Sequence, residues 1–242
     1  MSRTAVVTTS WIQCAALVLG LCGPVHSQTP PDLSGVWKLH GPYQPELRTD
    51  SGEMPALLPK AAAIYAQRRT ARAAGDLTFD AASMTCVSPG MPRLMLLPYP
   101  FQIIQRPSQL VVNFQWNNRY RIVELKDQPP IIDDLKYMGN ASGHWDGVTL
   151  VIKSEAFVPT TLLDASGMPH GDKLQILERY SLEKGGKRLI DEMTFSDPES
   201  FGQTWTTRRT YDRLPAGTEI TEDVCRERIA KGHPAFELDR WR

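Results

Sequence analysis

The amino-acid sequence predicts a mainly β protein, an antiparallel barrel of about eight strands with one N-terminal surface helix. Three observations support this fold class. From residue 100 onwards, strand-like segments recur about every ten residues. Turn signals separate them, among them 145–147 (Trp-Asp-Gly) and 184–186 (Lys-Gly-Gly). No helical pattern lies between successive strands, and short strands without intervening helices indicate an antiparallel arrangement.

Residues 1–27 have the pattern of a secretory signal peptide. Arg3 supplies a positive start, 15–21 form an apolar core, and small residues precede a cleavage point before Gln28. The apolar core is shorter than the about 20 residues of a membrane span. A lipoprotein alternative through Cys22 stays open, although the residue before it is a poor fit. We therefore expect a periplasmic or secreted protein that works without ready access to ATP or NAD(P)H, and without a cofactor.

The mature chain, 28–242, is predicted to form a single barrel domain. Its first strand opens at 32–37 after a short polar tether. Residues 59–75 are expected to form the surface helix, because Pro59 stands at its start and a glycine at its end. Residues 226–242 are predicted to be a C-terminal tail. The other strand candidates are 100–106, 109–116, 119–125, 148–156, 173–182, 187–195, 204–211 and 219–224.

The charge of the chain is balanced, with 27 basic and 27 acidic side chains. A nucleic-acid-binding protein usually carries a basic stripe, so this balance argues against a nucleic-acid partner. It also argues against strong attraction to an anionic membrane surface. No second long apolar segment follows the leader, so no membrane insertion is expected once the signal is removed. The expected partner is a small molecule, and the sequence gives no oligomeric state.

Two cysteines, Cys86 and Cys225, remain after the leader is removed. In an oxidising compartment two lone cysteines most simply form one disulfide. Two alternatives stay open: one of the thiols is catalytic, or both are simply buried. No Cys–His arrangement is visible that would favour the catalytic alternative.

Three polar residues interrupt strand faces that are otherwise apolar. Asn118 shares a face with Trp116 if alternation continues through the following turn, Glu178 lies on an apolar face, and Arg209 lies between two aromatic residues. A buried charge must be paired, so Glu178 and Arg209 either pair with each other or line a pocket. Arg209 could also close the mouth of the barrel. The pocket reading predicts these ligand-binding residues: Trp116, Asn118, Glu178, Trp205, Arg209 and Tyr211.

His170 is the best candidate for acid–base chemistry. It lies in a loop just before a strand, and Asp172, two residues on, could orient the ring. Tyr120 or Tyr180 would donate a hydrogen bond to a developing oxyanion, and Arg209 would hold a substrate carboxylate or phenolate. The alternative is that His170 only caps a turn. The histidines of the mature chain lack metal-ligand spacing, so no metal site is expected.

Several motifs within residues 31–225 carry a family resemblance. They are 32–37 (Asp-Leu-Ser-Gly-Val-Trp), 89–93 (Pro-Gly-Met-Pro-Arg), 98–101 (Pro-Tyr-Pro-Phe), 143–147 (Gly-His-Trp-Asp-Gly) with 149–151 (Thr-Leu-Val), 169–170 (Pro-His) and 178–180 (Glu-Arg-Tyr). As a set they resemble a largely uncharacterised family of secreted bacterial proteins, abundant in acidobacteria and sphingomonads. The Gly-Val-Trp at 35–37 also looks like the G-x-W of lipocalin-like (calycin-type) barrels. The resemblance therefore implies a lipocalin-like barrel.

The chain departs from that family at several histidine positions. Histidine is commoner there where this sequence has Asn140, Met168 and Gln175, whereas His170 and Glu178 match. This departure argues against carrying over a metal or multi-histidine mechanism.

Three functional hypotheses follow from the barrel and its polar exceptions. The first is a cofactor-independent lyase or isomerase that transfers a proton on a small aromatic or lipophilic substrate. The second is a non-catalytic periplasmic binding or carrier protein for a hydrophobic ligand, using the same pocket. The third is a structural or envelope-interaction protein whose interior is a plain core.

Overall fold

Nine β-strands form a closed barrel and follow one another in sequence order around it. The computed structural model describes Met1 and residues 29–238, so the predicted signal peptide lies outside the described residues apart from Met1. The barrel closes where β9 pairs with β1. The strands are β1 (Gly35–Leu39), β2 (Phe101–Gln105), β3 (Gln109–Phe114), β4 (Arg119–Leu125), β5 (Asn140–Asp146), β6 (Thr149–Glu155), β7 (Gln175–Glu183), β8 (Arg188–Ser196) and β9 (Trp205–Arg213).

The predicted mainly β barrel is confirmed, with corrections to the strand count and to two segments. The barrel has nine strands rather than about eight. Residues 140–146, which lie outside the predicted strand ranges, are strand β5, and residues 219–224 are not a strand. β5 shows no alternation of apolar and polar residues, because it contains a glycine and several small side chains. The 219–224 segment lies next to the start of a helix.

One strand pairing differs from all the others in the barrel. β4 and β5 run parallel and are joined by only two residue pairs, Glu124↔Ser142 and Leu125↔Gly143. The predicted all-antiparallel sheet is therefore wrong at this position. The connection of residues 126–139 is long enough to return the chain to the same end, which a parallel pair requires. Most of the β4 edge is consequently not paired with β5.

The surface helix predicted over 59–75 is α1 (Pro59–Ala73), with proline in its first turn. Three shorter helices were not predicted from the sequence. They are α2 (Ala81–Thr85), α3 (Arg93–Leu96) and α4 (Cys225–Ala230). No helix among the described residues is long and apolar enough to span a membrane.

The segment around α3 packs against the inner face of the barrel. The Tyr211 hydroxyl donates to the carbonyl oxygen of Met95 at 3.1 Å, and the side chains of α3 are all buried. Arg93 forms a buried double hydrogen bond with Asp80, at 2.8 and 2.7 Å. Although burial opposes ionisation, Arg93 holds the pKa of Asp80 below its usual value. This pair fixes α3 to the start of α2.

The predicted disulfide between Cys86 and Cys225 is present, with a Cα–Cα distance of 5.8 Å. It joins the end of α2 to the start of α4. Beyond α4, the carbonyl of Ala235 accepts a hydrogen bond from Trp116 Nε1 at 2.9 Å. Much of the predicted tail is therefore ordered against the barrel. Disulfides persist in oxidising compartments, and this one fits a periplasmic or extracellular location.

Candidate functional site

A short 3₁₀ turn between β3 and β4 decides which side chains of β4 face inwards. Asn117 and Asn118 both adopt left-handed backbone angles, with φ of 52° and 47°. Asparagine tolerates this conformation better than most residues, because its side chain can bond locally. The turn interrupts the alternation of the strand. In β3 the even-numbered residues are buried, whereas in β4 the odd-numbered residues Arg121 and Val123 are buried.

The expected inward positions of Asn118 and Tyr120 are therefore wrong. Asn118 is exposed and donates to the carbonyl of Asp223 at 3.2 Å. Tyr120 is 64 % exposed, whereas Arg121 is fully buried. Arg121 is a buried residue of the interior that sequence reasoning missed. The Asn-Asn pair at the turn could have revealed the inward position of Arg121, because it permits the inward face to change from even-numbered to odd-numbered residues.

Arg121 is the partner of Glu178 inside the barrel. Its Nη1 donates to Glu178 Oε1 at 2.9 Å, its Nη2 bonds the second carboxylate oxygen, and Nη2 also donates to Ser154 Oγ at 2.7 Å. The suggested Glu178–Arg209 pair is thus wrong, because the guanidinium that reaches Glu178 comes from β4. The Tyr180 hydroxyl donates to Glu178 Oε1 at 3.1 Å, so Glu178 and Tyr180 are brought together as neighbours.

Asp191 is a second carboxyl group in the same interior. It stands opposite Tyr180 on one side and Arg209 on the other. Its side chain is fully buried, and neither carboxyl oxygen has a hydrogen-bond partner within the part of the chain that the structure describes. Burial, reinforced by the charge of Glu178, raises the pKa of Asp191 well above its usual range. Asp191 is thus a buried acid without the ion pair that Glu178 has.

The predicted pocket aromatics are part of the packed core. Trp205 stacks on Phe195 with ring centroids 4.3 Å apart, and Tyr211 is fully buried. Trp116 stacks on Phe236 from the C-terminal segment, with centroids 4.9 Å apart. These side chains contact other protein groups where the sequence suggested an interior ligand pocket. Strand patterns do not reveal which other segments pack against these side chains, so their contacts with Phe195 and Phe236 could not be predicted.

Arg209 lies on the predicted face but makes local contacts. Its Nη1 donates to Thr207 Oγ1 at 3.1 Å and to the carbonyl of Arg208 at 2.8 Å. The side chain is half-buried.

His170 is buried, and both ring nitrogens have partners. Nε2 lies 2.7 Å from Thr161 Oγ1, and Nδ1 lies 2.8 Å from the carbonyl oxygen of Gly171. The Thr161 hydroxyl donates to the carbonyl oxygen of Val158 at 2.9 Å. A carbonyl only accepts, so Nδ1 carries the proton of the neutral ring. Burial lowers the pKa of His170, which favours this neutral form.

Asp172 does not orient His170 as expected. Its side chain is exposed, its backbone N–H donates to Glu199 Oε2 at 3.0 Å, and within residues 29–238 no hydrogen bond joins it to the imidazole. The two tyrosines predicted to donate a hydrogen bond to an oxyanion lie apart, since Tyr120 is outside the barrel and Tyr180 is inside it. The local geometry thus favours the structural alternative for His170. Among the described residues, no group of three or more His, Cys, Asp or Glu side chains could hold a metal ion.

A cleft of about 650 Å³ lies beside the unpaired part of β4, and we call it the β4–β5 cleft. Both faces of β4 contribute to its lining: inward-facing Arg121 and outward-facing Tyr120 and Ile122. Because neighbouring side chains of a strand point to opposite faces, only a cleft that passes the strand edge can be lined by both. The short β4–β5 pairing is what leaves this edge open.

The outer wall of the β4–β5 cleft is apolar and exposed. Ile131 is 67 % exposed and Leu135 is 51 % exposed, and both come from the connection between β4 and β5. Asn118 also lines the cleft, so two residues singled out from the sequence, Asn118 and Tyr120, do meet here. They meet at the outside of the barrel and not in its interior.

Comparison with known proteins adds little to this description. The chain matches no protein-family model and no curated protein. Among solved structures it is similar to human cRBP IV, with 16% sequence identity, a TM-score of 0.34, and coverage of 76% of this chain and 100% of that chain. A likeness at this level carries no argument about what the chain binds, so the functional conclusions rest on the residues themselves.

Proposed function

We propose that the protein binds a small, largely apolar molecule in the β4–β5 cleft, as an exported binding or carrier protein with a lipocalin-like barrel. The observation that carries this proposal is the convergence of exposed apolar side chains on one cleft. Tyr120, Ile122, Ile131 and Leu135 all line it and are all well exposed. Scattered exposed apolar residues are ordinary, but a group of them around one concavity is typical of a binding site.

The size and position of the cleft support the same proposal. Its volume of about 650 Å³ lies within the range of small-molecule sites. The open strand edge adds backbone donors and acceptors to the apolar walls, so a ligand could be oriented as well as buried. The exported location agrees with the disulfide between Cys86 and Cys225.

We favour binding over lyase or isomerase chemistry because the candidate catalytic groups are dispersed. His170 has both nitrogens engaged within its own loop region, and Asp172 points to solvent. Tyr180 is bonded to Glu178 inside the barrel. Of the four predicted catalytic residues, His170, Asp172, Tyr120 and Tyr180, only Tyr120 lines the cleft.

Titration with a neutral fluorescent probe, N-phenyl-1-naphthylamine, tests this function. We expect saturable binding that Ile122→Glu weakens at least about tenfold, because a carboxylate would be buried against the apolar ligand. Leu177→Glu is the matched control, since Leu177 is an exposed strand residue on β7 that does not line the cleft. Equal binding by the parent and by both variants would overturn the proposal, as would no binding by the parent.

A further inference from the structure

The charged residues that line the β4–β5 cleft do not balance. Glu124 is paired with Lys126, and Asp133 is paired with Lys136 at 2.9 Å. Arg121 is neutralised by Glu178. Arg119 also lines the cleft, and within the described part of the chain it has no carboxylate partner. The site therefore holds one positive charge that the described residues leave uncompensated.

The two arginines also have unused hydrogen-bond donors. The Nε atoms of Arg119 and Arg121 are both buried, and neither has a hydrogen-bond partner among residues 29–238. The two residues are separated by one position on β4, so their side chains leave the strand on the same face. A buried N–H without an acceptor is unfavourable, and such groups in native proteins are rare. An acceptor group supplied by a ligand would satisfy them.

We infer that the ligand is an amphiphilic monoanion, a molecule with an apolar body and one carboxylate, whose carboxylate is bound by Arg119. This inference rests on the proposed function and deepens it. The planar guanidinium of Arg119 matches a carboxylate in shape and donor spacing. The apolar body lies against Tyr120, Ile122 and Ile131. A single uncompensated charge favours a monoanion over a phosphate that carries two charges.

Two probes of similar size separate charge recognition from apolar binding. We would titrate the protein with 1-pyrenebutyrate and with 1-pyrenebutanol, which share the aromatic body and differ in the head group. The parent protein is expected to bind the carboxylate at least about tenfold more tightly than the alcohol, since charge-assisted hydrogen bonds are the stronger kind. Arg119→Gln is expected to remove this preference, so that it binds the carboxylate and the alcohol with similar affinity.

Two further variants make the test specific. Arg119→Lys keeps the positive charge and is expected to restore part of the preference for the carboxylate. Arg106→Gln removes an exposed arginine of the β2–β3 turn and is expected to change neither affinity. Unchanged thermal unfolding of each variant shows that it has folded.

The outcomes also separate the inference from the proposed function. If the parent binds both probes equally, or if Arg119→Gln weakens both equally, the anionic-ligand inference is wrong although the cleft still binds apolar molecules. If the parent binds neither probe, both the proposed function and this inference are overturned.

Discussion

Glu178 and Asp191 are both fully buried carboxyl groups, but among the described residues only Glu178 has hydrogen-bond partners. Glu178 accepts two hydrogen bonds from Arg121 and a third from Tyr180. Asp191 has no such partner among the described residues. Removing one member of a buried ion pair leaves an uncompensated charge, whereas protonating an unpaired acid removes its charge. The unpaired Asp191 carboxyl therefore lies in surroundings that favour its protonated form.

The raised pKa of Asp191 predicts that the contribution of this residue to stability falls as the pH rises. Above about pH 4 the unfolded chain releases this proton, while the folded chain retains it up to its higher pKa. The unfolded state thus binds fewer protons in this window, and the free energy of unfolding falls with increasing pH. Asp191→Asn should remove this contribution, so the free energy of unfolding measured in urea should fall less between about pH 5 and 8 in the variant than in the parent.

Asp127→Asn is the control for this measurement, because Asp127 is exposed. It should keep the pH dependence of the parent. If the free energy of unfolding depends on pH equally in the parent and in Asp191→Asn, the pKa of Asp191 does not differ between the folded and unfolded states.

At the scale of elements, the turn at Trp116–Asn118 connects two strands and the C-terminal segment. Asn117 Nδ2 donates to the carbonyl of Cys86 at 3.3 Å, and Asn117 Oδ1 accepts from the N–H of Cys225 at 3.2 Å. The same side chain thus contacts both cysteines of the disulfide. Its left-handed φ of 52° is one that few other residues adopt without strain.

We predict that Asn117→Ala lowers the free energy of unfolding by about 2 kcal/mol, through lost hydrogen bonds and backbone strain. Asn117→Gly loses the hydrogen bonds but suits the backbone, so its loss should be about 1 kcal/mol. Urea denaturation of both variants measures the difference. An alanine variant as stable as the parent would contradict this account of the turn.

The strands on either side of this turn could be predicted from the sequence, but the direction of their side chains could not. The strand ranges 119–125 and 109–116 could be predicted well, because alternation and turn residues are local properties. The inward position of Arg121 could not, because it depends on the backbone angles of two asparagines. Glu178 was recognised as a buried charge from its strand alone, but its partner comes from a distant strand. The cleft was also beyond prediction, since it depends on how β4 and β5 meet.

At the scale of the whole molecule, the disulfide holds the C-terminal segment over one region of the barrel. It joins residues separated by 139 positions, and the pairing could be predicted because only two cysteines follow the predicted signal peptide. The segment beyond it supplies Phe236 to Trp116 and a carbonyl to the Trp116 indole. The covalent link and these contacts stabilise the same part of the fold.

Replacing both cysteines, Cys86→Ser with Cys225→Ser, should lower the free energy of unfolding by about 4 to 5 kcal/mol, the chain-entropy value for a loop of this length. Chemical denaturation measures the change. As a control, peptides of the parent that contain Cys86 or Cys225 should take up an alkylating reagent only after reduction. A loss below about 1 kcal/mol would show that the unfolded chain gains little freedom when the link is absent.

The barrel closes only when β9 is available, because β9 pairs with β1. Trp37 pairs with Arg213, so the barrel is closed by contacts between the beginning and the end of the described chain. Contacts between residues far apart in sequence form slowly, because the chain must first bring its ends together. A ribosome-bound chain that lacks β9 therefore cannot close the barrel. Closure has to wait for the synthesis of β9, and until then the edges of β1 and β8 that β9 later covers stay unpaired.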